Sequence, residues 1–309
     1  STIYYLSALA VAIGFRMNLF NIGVDGQYRF GAMAAAVVGG AVALPGPLEI
    51  LLLVVVAMAV GAMWAGVAGL LKTRRGVSEV ISTIMLNVIA SGLIDFLVSP
   101  RHFGVQLKGS EQIATRTLPS SAHFPGIPFA GDHINGFIVI AALAGLAYGF
   151  GLNRTRFGFD LRATGRSETA AVASGVNVKR MVLSSMLISG AVAGLVGLPL
   201  LLGQTGSFSS NNFKAGIGFT GIAIALLGRN HPLGIAFGAL LWSFLENSSQ
   251  ILDLEGVPKE IVTIMQGTIV LSVVVAYELV RRLGQAREQR AVAAELSVHD
   301  PNEPVGAPA

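Results

Sequence analysis

Four stretches of this sequence set polar or charged side chains among apolar neighbours, each in an arrangement with a definite chemical use. In Phe20-Asn21-Ile22-Gly23-Val24-Asp25-Gly26-Gln27, two amides, a carboxylate and two glycines interrupt hydrophobic sequence. Backbone at membrane depth must be hydrogen-bonded, so irregular chain persists there only when buried in protein or lining an aqueous path. One reading is a broken or re-entrant helix, with Asn21, Gly23, Asp25 and Gly26 as its gating motif. The other is a cytoplasmic turn in which Asn21 and Asp25 cap the helix that follows.

The second stretch runs from Gly203 to Lys214 and carries Gln204, Ser207, Phe208, Ser209, Ser210, Asn211 and Asn212 ahead of a short, glycine-rich apolar segment. Paired interrupted hydrophobic segments in two halves of a chain mark the central pathway of transporters built from inverted repeats, although an ordinary outer loop has the same composition. In the third, Glu79, Thr83, Asn87, Ser91 and Asp95 recur every four residues and form one polar stripe on a helix. Such a stripe either hydrogen-bonds neighbouring helices or faces a water-filled path. The fourth is the segment Asp160 to Gly175, in which Ser167 caps a short helix that Gly175 ends. A short helix projecting from a membrane protein serves as a docking element for a soluble partner, or is a solvated connector.

Several chemistries are missing from this pattern. The sequence contains no Gly-x-x-x-x-Gly-Lys-[Ser/Thr] run and no His-Glu-x-x-His, so neither a P-loop nor that zinc motif is expected. Its histidines, His102, His123, His133, His231 and His299, fall in loops, at span edges or in the tail, and no metal site is read from them. With no cysteine, disulfides and thiolate sites are excluded within this chain.

The elements that must position these residues are membrane helices. Of 309 residues, 53% are hydrophobic and only 12% charged, against about 25% charged in soluble domains. Mean hydropathy is +0.67. The 38 glycines suit close helix packing in lipid, and pairs such as Gly145 with Gly149, Gly190 with Gly194 and Gly234 with Gly238 read as packing seams. Candidate spans are residues 1–15, 29–45, 49–71, 77–98, 135–151, 181–203, 216–229, 233–250 and 259–280. This gives an all-α integral membrane protein, a polytopic helical bundle of about nine spans with inverted repeats and broken or re-entrant helices.

Threading these spans alternately places Arg16, Arg29, Lys72-Thr73-Arg74-Arg75, residues 152–180 and everything after Arg281 on one side. By the positive-inside rule that side is the cytoplasm. The net charge of +4 is explained by this distribution without nucleic acid. The proline-rich residues 99–134 then form a packed outer loop, residues 1–284 one transmembrane domain, and residues 285–309 a cytoplasmic, partly disordered tail. The first apolar stretch, Ile3 to Gly14, is followed by Arg16 rather than preceded by basic residues, so it reads as a transmembrane helix and not a signal peptide. Its beginning, and a further helix, are expected ahead of Ser1.

Three segments resemble one known family in order. Leu19 through Gln27 is similar to the Phe-Asn-Ile-Gly-x-[Glu/Asp]-Gly-Gln signature of permeases in nucleoside-type and simple-sugar-type importers. Gly76-Val77-Ser78-Glu79 through Asn87 resembles that family's second signature, and Leu161-Arg162-Ala163-Thr164-Gly165 through Gly175-Val176-Asn177 its cytoplasmic coupling segment. The sequence departs from the pattern at Arg16-Met17-Asn18-Leu19, where relatives commonly have Arg-Ala-Gly-Leu, and at Ser167-Glu168-Thr169, where they tend to have Asn-Pro-Glu.

The resemblance implies a cell-membrane ABC transporter permease of the branched-chain amino acid/ribose/nucleoside type, with about ten helices and no ATPase site of its own. ATP and magnesium would be bound by partner ATPase subunits. Further expected partners are a second homologous permease, an extracytoplasmic solute-binding lipoprotein and membrane lipid. Nucleosides are the first substrate expectation and simple sugars the second. Asn21, Gln27, Thr83, Asn87, Gln204 and Phe208 are the pathway candidates, Phe208 by stacking on a base. Arg162, Gly165, Glu168, Ala170, Ala171 and Gly175 carry the ATPase-coupling assignment. Two rivals from other classes are an ion-coupled secondary transporter using Asp25, Glu79 or Asp95, and a non-transporting scaffold.

Overall fold

The computed structural model describes residues 1–106, 111–129, 132–256 and 258–298. Helix α3 (Gly46–Arg75) shows how the local sequence fixes an element. Pro45 and Pro47 open it, where a missing backbone N–H costs nothing, and Glu49 lies in its first turn. Gly76 closes it in the left-handed conformation at φ 69°, with Lys72, Arg74 and Arg75 in the last turn against the negative end of the helix dipole.

Before α3 come α1 (Thr2–Phe15) and α2 (Val24–Gly39); after it comes α4 (Glu79–Leu97). Two antiparallel hairpins follow, β1 (Gly104–Gln106) with β2 (Ile113–Thr115) and β3 (Gly126–Phe129) with β4 (Asp132–Asn135). Their registers pair Gly104 with Thr115 and Gly126 with Asn135. Then α5 (Ile138–Arg154), α6 (Arg156–Arg166), α7 (Glu168–Ala173) and α8 (Val178–Gly194) succeed one another. Helix α8 runs on through a 3-10 turn, the short α9 (Leu198–Leu200) and a π turn at Leu201–Thr205. The chain ends with α10 (Ile217–Leu227), α11 (Pro232–Leu254) and α12 (Glu260–Val298).

Every stretch expected as a span carries a helix, but length and apolarity divide them. Among the described residues, four helical runs are long and apolar enough to cross a membrane: Gly46–Arg75, Glu79–Leu97, Val178–Thr205 and Glu260–Leu279. A fifth is obtained if α5 and α6, bent by 73°, count as one. The protein is thus an all-α, largely membrane-embedded bundle with four to five such spans, its short hairpins confined to residues 104–135. Helices α1 and α10 are apolar but short. Helix α2 begins at Val24, ahead of the expected boundary at 29, so Asp25 and Arg29 lie within it.

Small residues bring α2, α3 and α8 together. A Cβ at Gly61 would lie 2.9 Å from the Gly194 nitrogen, and one at Gly31 would lie 2.9 Å from the Ala57 oxygen and 3.2 Å from the Gly194 Cα. Backbones can approach this closely only where side chains are absent, as lipid-embedded packing requires. The other two glycine pairs also pack: Gly145 faces Tyr5, Gly149 approaches Pro232, Gly234 meets Gly228 and Gly238 meets Ile224. The outward faces are apolar, with Ile81, Met85, Val88 and Phe96 of α4 exposed.

The loop between α4 and α5 is stitched to the stretch after α8. Thr115 N–H donates to the Phe208 oxygen at 2.9 Å, Leu118 N–H to Gly206 at 2.7 Å and Phe124 N–H to Leu202 at 3.0 Å. At the other end of the chain, α12 continues past 284 to Val298, while residues 299–309, His299 among them, lie outside the described residues.

Candidate functional site

Between α1 and α2 the chain is irregular, with Asn18 and Phe20 exposed and Met17, Leu19, Asn21 and Gly23 buried, and each polar side chain of the Phe20–Gln27 motif has a structural partner. Asn21 and Gln27, each 1% exposed, exchange amide hydrogen bonds: Asn21 Nδ2 donates to Gln27 Oε1 at 2.9 Å and Gln27 Nε2 to Asn21 Oδ1 at 2.8 Å. Asn21 Nδ2 also donates to Ser189 Oγ at 2.8 Å, and Ser189 donates onward to the Ala10 carbonyl at 2.7 Å. Asn21 Oδ1 accepts the Gly23 N–H at 3.1 Å, which closes the turn before α2. Pairing of this kind is what irregular backbone needs when it is enclosed by protein.

Asn87 of α4 holds the same segment from the other side. Its Nδ2 donates to the Ile22 carbonyl and its Oδ1 accepts the Gly26 N–H, each at 2.9 Å. Gly26 is required by this approach, since a Cβ there would lie 2.9 Å from Asn87 Oδ1 and 3.1 Å from the Ala90 Cβ. Thr83 is fully buried beside Gly23 and bonds back to the Glu79 carbonyl at 2.7 Å. Asn21, Gln27, Thr83 and Asn87 are therefore brought together; the amides of Asn21, Gln27 and Asn87 are spent on the fold of the motif, and the Thr83 hydroxyl on its own helix.

Asp25 does not cap α2, where it sits in the first turn; it caps α10. Its Oδ1 accepts the N–H groups of Gly216 and Gly218, both at 3.0 Å, and the residue is 6% exposed. A carboxylate at a helix N-terminus is held by free N–H groups and by the positive end of the dipole. Gly216, at φ 101°, makes the turn that presents those groups. Nearby, Tyr28 donates its hydroxyl to the Lys214 carbonyl, and Ser7 in the middle of α1 donates to Ile217 at 2.8 Å. At 1.5 Å per residue, α10 is about 16 Å long, roughly half the hydrocarbon thickness. The Phe20–Gln27 motif is thus joined to the start of α10 through Asp25, and α2 to the end of the Gly203–Lys214 stretch through Tyr28.

The remainder of the α4 stripe divides by position. Glu79 accepts from Lys72 Nζ at 2.6 Å and from the Phe20 N–H at 3.4 Å, at the entry to the motif. Ser91 Oγ accepts from Arg29 Nη1 at 2.8 Å. Asp95 accepts from Ser210 Oγ at 2.7 Å and lines a cleft of about 530 Å³ with Glu111, Ser209 and Asn211. Gln204 is exposed on the π turn. Phe208 is fully buried, its ring stacked on Phe213 with centroids 4.5 Å apart and its N–H donating to Thr115 Oγ1 at 2.9 Å. These two candidates are not drawn into the Asn21–Gln27 cluster.

On α6 and α7, the candidate residues separate into anchors and exposed positions. Arg162 donates to the Leu152 carbonyl, and Ala171 is buried. Glu168, Ala170 and Gly175 are exposed, with Val172 61% exposed beside them. Ser167 Oγ accepts the Ala170 N–H at 3.2 Å, as a capped short helix requires, and Gly175 ends the turn at φ 83°. Gly165 packs on the end of α1: a Cβ there would run into the Arg16 carbonyl oxygen and lie 2.9 Å from the Met17 Cα.

Sequence reasoning missed Arg29 and Ser189. Arg29 is 9% exposed and lies one helical turn beyond Asp25 inside α2 rather than flanking a span; its spacing from Asp25 is the available signal. A serine in an apolar run such as Ser189 carries no signal that separates it from a helix-packing residue. Among the described residues no group of three or more His, Asp or Glu side chains is placed to hold a metal ion.

Two interrupted helices meeting at a buried polar seam, inside a bundle with apolar outer faces, place the chain among membrane transport proteins. The profile of the family described as "Branched-chain amino acid transport system / permease component" matches residues 1–274. The chain is 36% identical to the guanosine ABC transporter permease protein NupP of Bacillus subtilis, over 94% of this chain and 83% of that protein. It is 31% identical to the nucleoside ABC transporter permease protein NupB of Lactococcus lactis, over 93% and 80%. It is also 31% identical to the glucose ABC transporter permease protein TsgB13 of Haloferax volcanii, over 92% and 77%. No solved structure matches. The chain belongs to this permease family and is the permease subunit of an ABC importer, a class of subunit without ATPase activity of its own.

Proposed function

We propose that this permease carries nucleosides into the cell. The reading rests on the 36% identity to a guanosine permease along 94% of the chain. Two ATPase subunits holding ATP and magnesium, a second related permease and an extracytoplasmic binding lipoprotein complete the transporter. The exposed face of α7, with Glu168, Ala170 and Val172, is where an ATPase subunit docks. The chain crosses the membrane about nine times with its C-terminus in the cytoplasm; its two interrupted segments, joined at Asp25, are what an inverted-repeat transporter would place at its centre.

In this arrangement Asn21, Gln27, Thr83 and Asn87 frame a gate: the Asn21–Gln27 amide pair and the bonds from Asn87 to the Ile22 and Gly26 backbone keep the broken segment rigid. Gln204, exposed at the outer end, meets the solute. Phe208 stacks on a nucleobase only in a state in which the 203–213 segment has parted from the outer loop. Simple sugars are the second reading, favoured by the 31% identity to a glucose permease. Uptake of labelled guanosine by vesicles holding the assembled transporter, challenged with unlabelled uridine, ribose or glucose, decides between them. Competition by nucleosides alone is expected; competition by glucose or ribose without nucleosides would overturn the assignment.

A further inference from the structure

We propose that Arg16 is a positioning residue for energy coupling, clamping the cytoplasmic end of α10 so that this half-helix acts as a strut between the ATPase-docking segment and the Asn21–Gln27 gate. The proposal rests on the reading of α6 and α7 as the docking element. Two side chains far apart in the sequence converge on one carbonyl. Arg16 Nη2 donates to the Asn230 carbonyl at 2.7 Å, and the Tyr148 hydroxyl donates to the same oxygen at 2.8 Å. Arg16 Nε lies 3.5 Å from that hydroxyl.

The carbonyl they share belongs to an unusual turn. Arg229 and Asn230, both at φ 54°, are non-glycine residues in the left-handed region, and Asn230 N–H returns to the Ala225 carbonyl at 2.9 Å to close α10. Such a conformation persists only when surrounding groups over-determine it. Here a guanidinium and a phenol fix it from α1 and α5, while the Arg229 guanidinium sits 4.2 Å over the Tyr277 ring of α12. A cation at a helix C-terminus also complements the dipole.

Arg16 is also the residue against which the docking segment packs. Gly165 of α6 leaves no room between its Cα and the Arg16 carbonyl, and Met17, buried at 3% exposure, fills the next position. A displacement of α6 therefore bears on the backbone of Arg16, whose side chain holds α10. The opposite end of α10 is gripped by Asp25 through Gly216 and Gly218. An unbroken helix of 11 residues transmits an axial push with little loss, because its own hydrogen bonds lie along that axis. Docking segment, clamp, strut and gate thus form one contiguous physical path.

The test uses the assembled transporter. Hydrogen–deuterium exchange of residues 213–222 is compared between the nucleotide-free complex and the complex trapped with ATP and vanadate, a readout that needs no solute. The wild type is expected to change exchange there at least fivefold on trapping. Arg16→Met is expected to lose the change while ATPase subunits still co-purify, and Arg16→Lys, which keeps one donor for the Asn230 carbonyl, to recover part of it. ATP hydrolysed per guanosine transported should rise several-fold in Arg16→Met; a purely structural role would lower both activities together. No response in the wild type, or an equal response in Arg16→Met, overturns the strut. If Arg16→Met does not accumulate, Tyr148→Phe, which removes one hydroxyl from the same carbonyl, is read by the same criteria. A separate arm tests docking itself: Val172→Asp should reduce ATPase co-purification at least fivefold, and unchanged recovery would sink the docking reading whatever Arg16 does.

Discussion

Replacing Asp25 isolates the junction between the two interrupted helices. Its carboxylate accepts two backbone N–H groups, each at 3.0 Å, from a residue only 6% exposed. Asp25→Ala leaves both donors without their partner, Gly218 buried and Gly216 half-buried, at about 1–3 kcal/mol for each, and removes a helix-dipole interaction of about 0.3–1 kcal/mol. The sum is roughly 2–7 kcal/mol, borne mainly by the N-terminal turn of α10. Asp25→Asn keeps a carbonyl oxygen that can accept both N–H groups and loses only the charge, so roughly 1–2 kcal/mol is expected. Each 1.4 kcal/mol is tenfold in an equilibrium. Exchange of the 213–222 amides in the resting complex should therefore rise at least about 30-fold in Asp25→Ala and about 5- to 30-fold in Asp25→Asn. Exchange in Asp25→Ala equal to wild type would refute the claim that this carboxylate holds α10. An increase spread evenly over all helices would show a loss of global stability instead.

Three further substitutions test the supporting contacts. Asn87→Ala frees the Ile22 carbonyl and the Gly26 N–H, so a loss of about 2–5 kcal/mol is expected, read as a lower unfolding temperature in detergent; an unchanged temperature would remove Asn87 from the frame. Gly190→Leu forces a side chain against the Gly61 backbone and Ala65 and should abolish accumulation of folded protein, whereas Gly92→Leu, at a position with open space, should not. Lys72→Met leaves the Glu79 carboxylate, 8% exposed, without its cation, which is itself 29% exposed. Allowing for that exposure, about 1–3 kcal/mol is expected, and Glu79→Gln in the same chain should recover part of it in the same melting assay.

Composition and run length were enough to specify the class of protein and the helix within each expected span, though not the start of α2 or the presence of α6. Apolar runs must bury their backbone polar groups internally in lipid, so composition and run length specify a helical bundle without knowledge of any contact. Close-packing seams such as Gly190 with Gly194 were legible for the same local reason, as was the Ser167 cap of α7. The break that ends at Gly23 was legible within the Phe20–Gln27 segment, because the residues that interrupt a helix announce themselves locally, although Val24–Gln27 is already the first turn of α2. Tertiary structure decided what those residues do. Whether Asn21 faces solute or another side chain depends on Gln27 and Ser189, the latter far along the chain. Nothing in the spacing around Asp25 reveals that it caps α10, because its partners are the N–H groups of Gly216 and Gly218, backbone atoms that every residue but proline possesses. The same holds for the Asn230 carbonyl that receives Arg16 and Tyr148. A side chain's type fixes which bonds it can make; only the fold chooses the carbonyl or N–H group brought within reach, and with it the function of the motif.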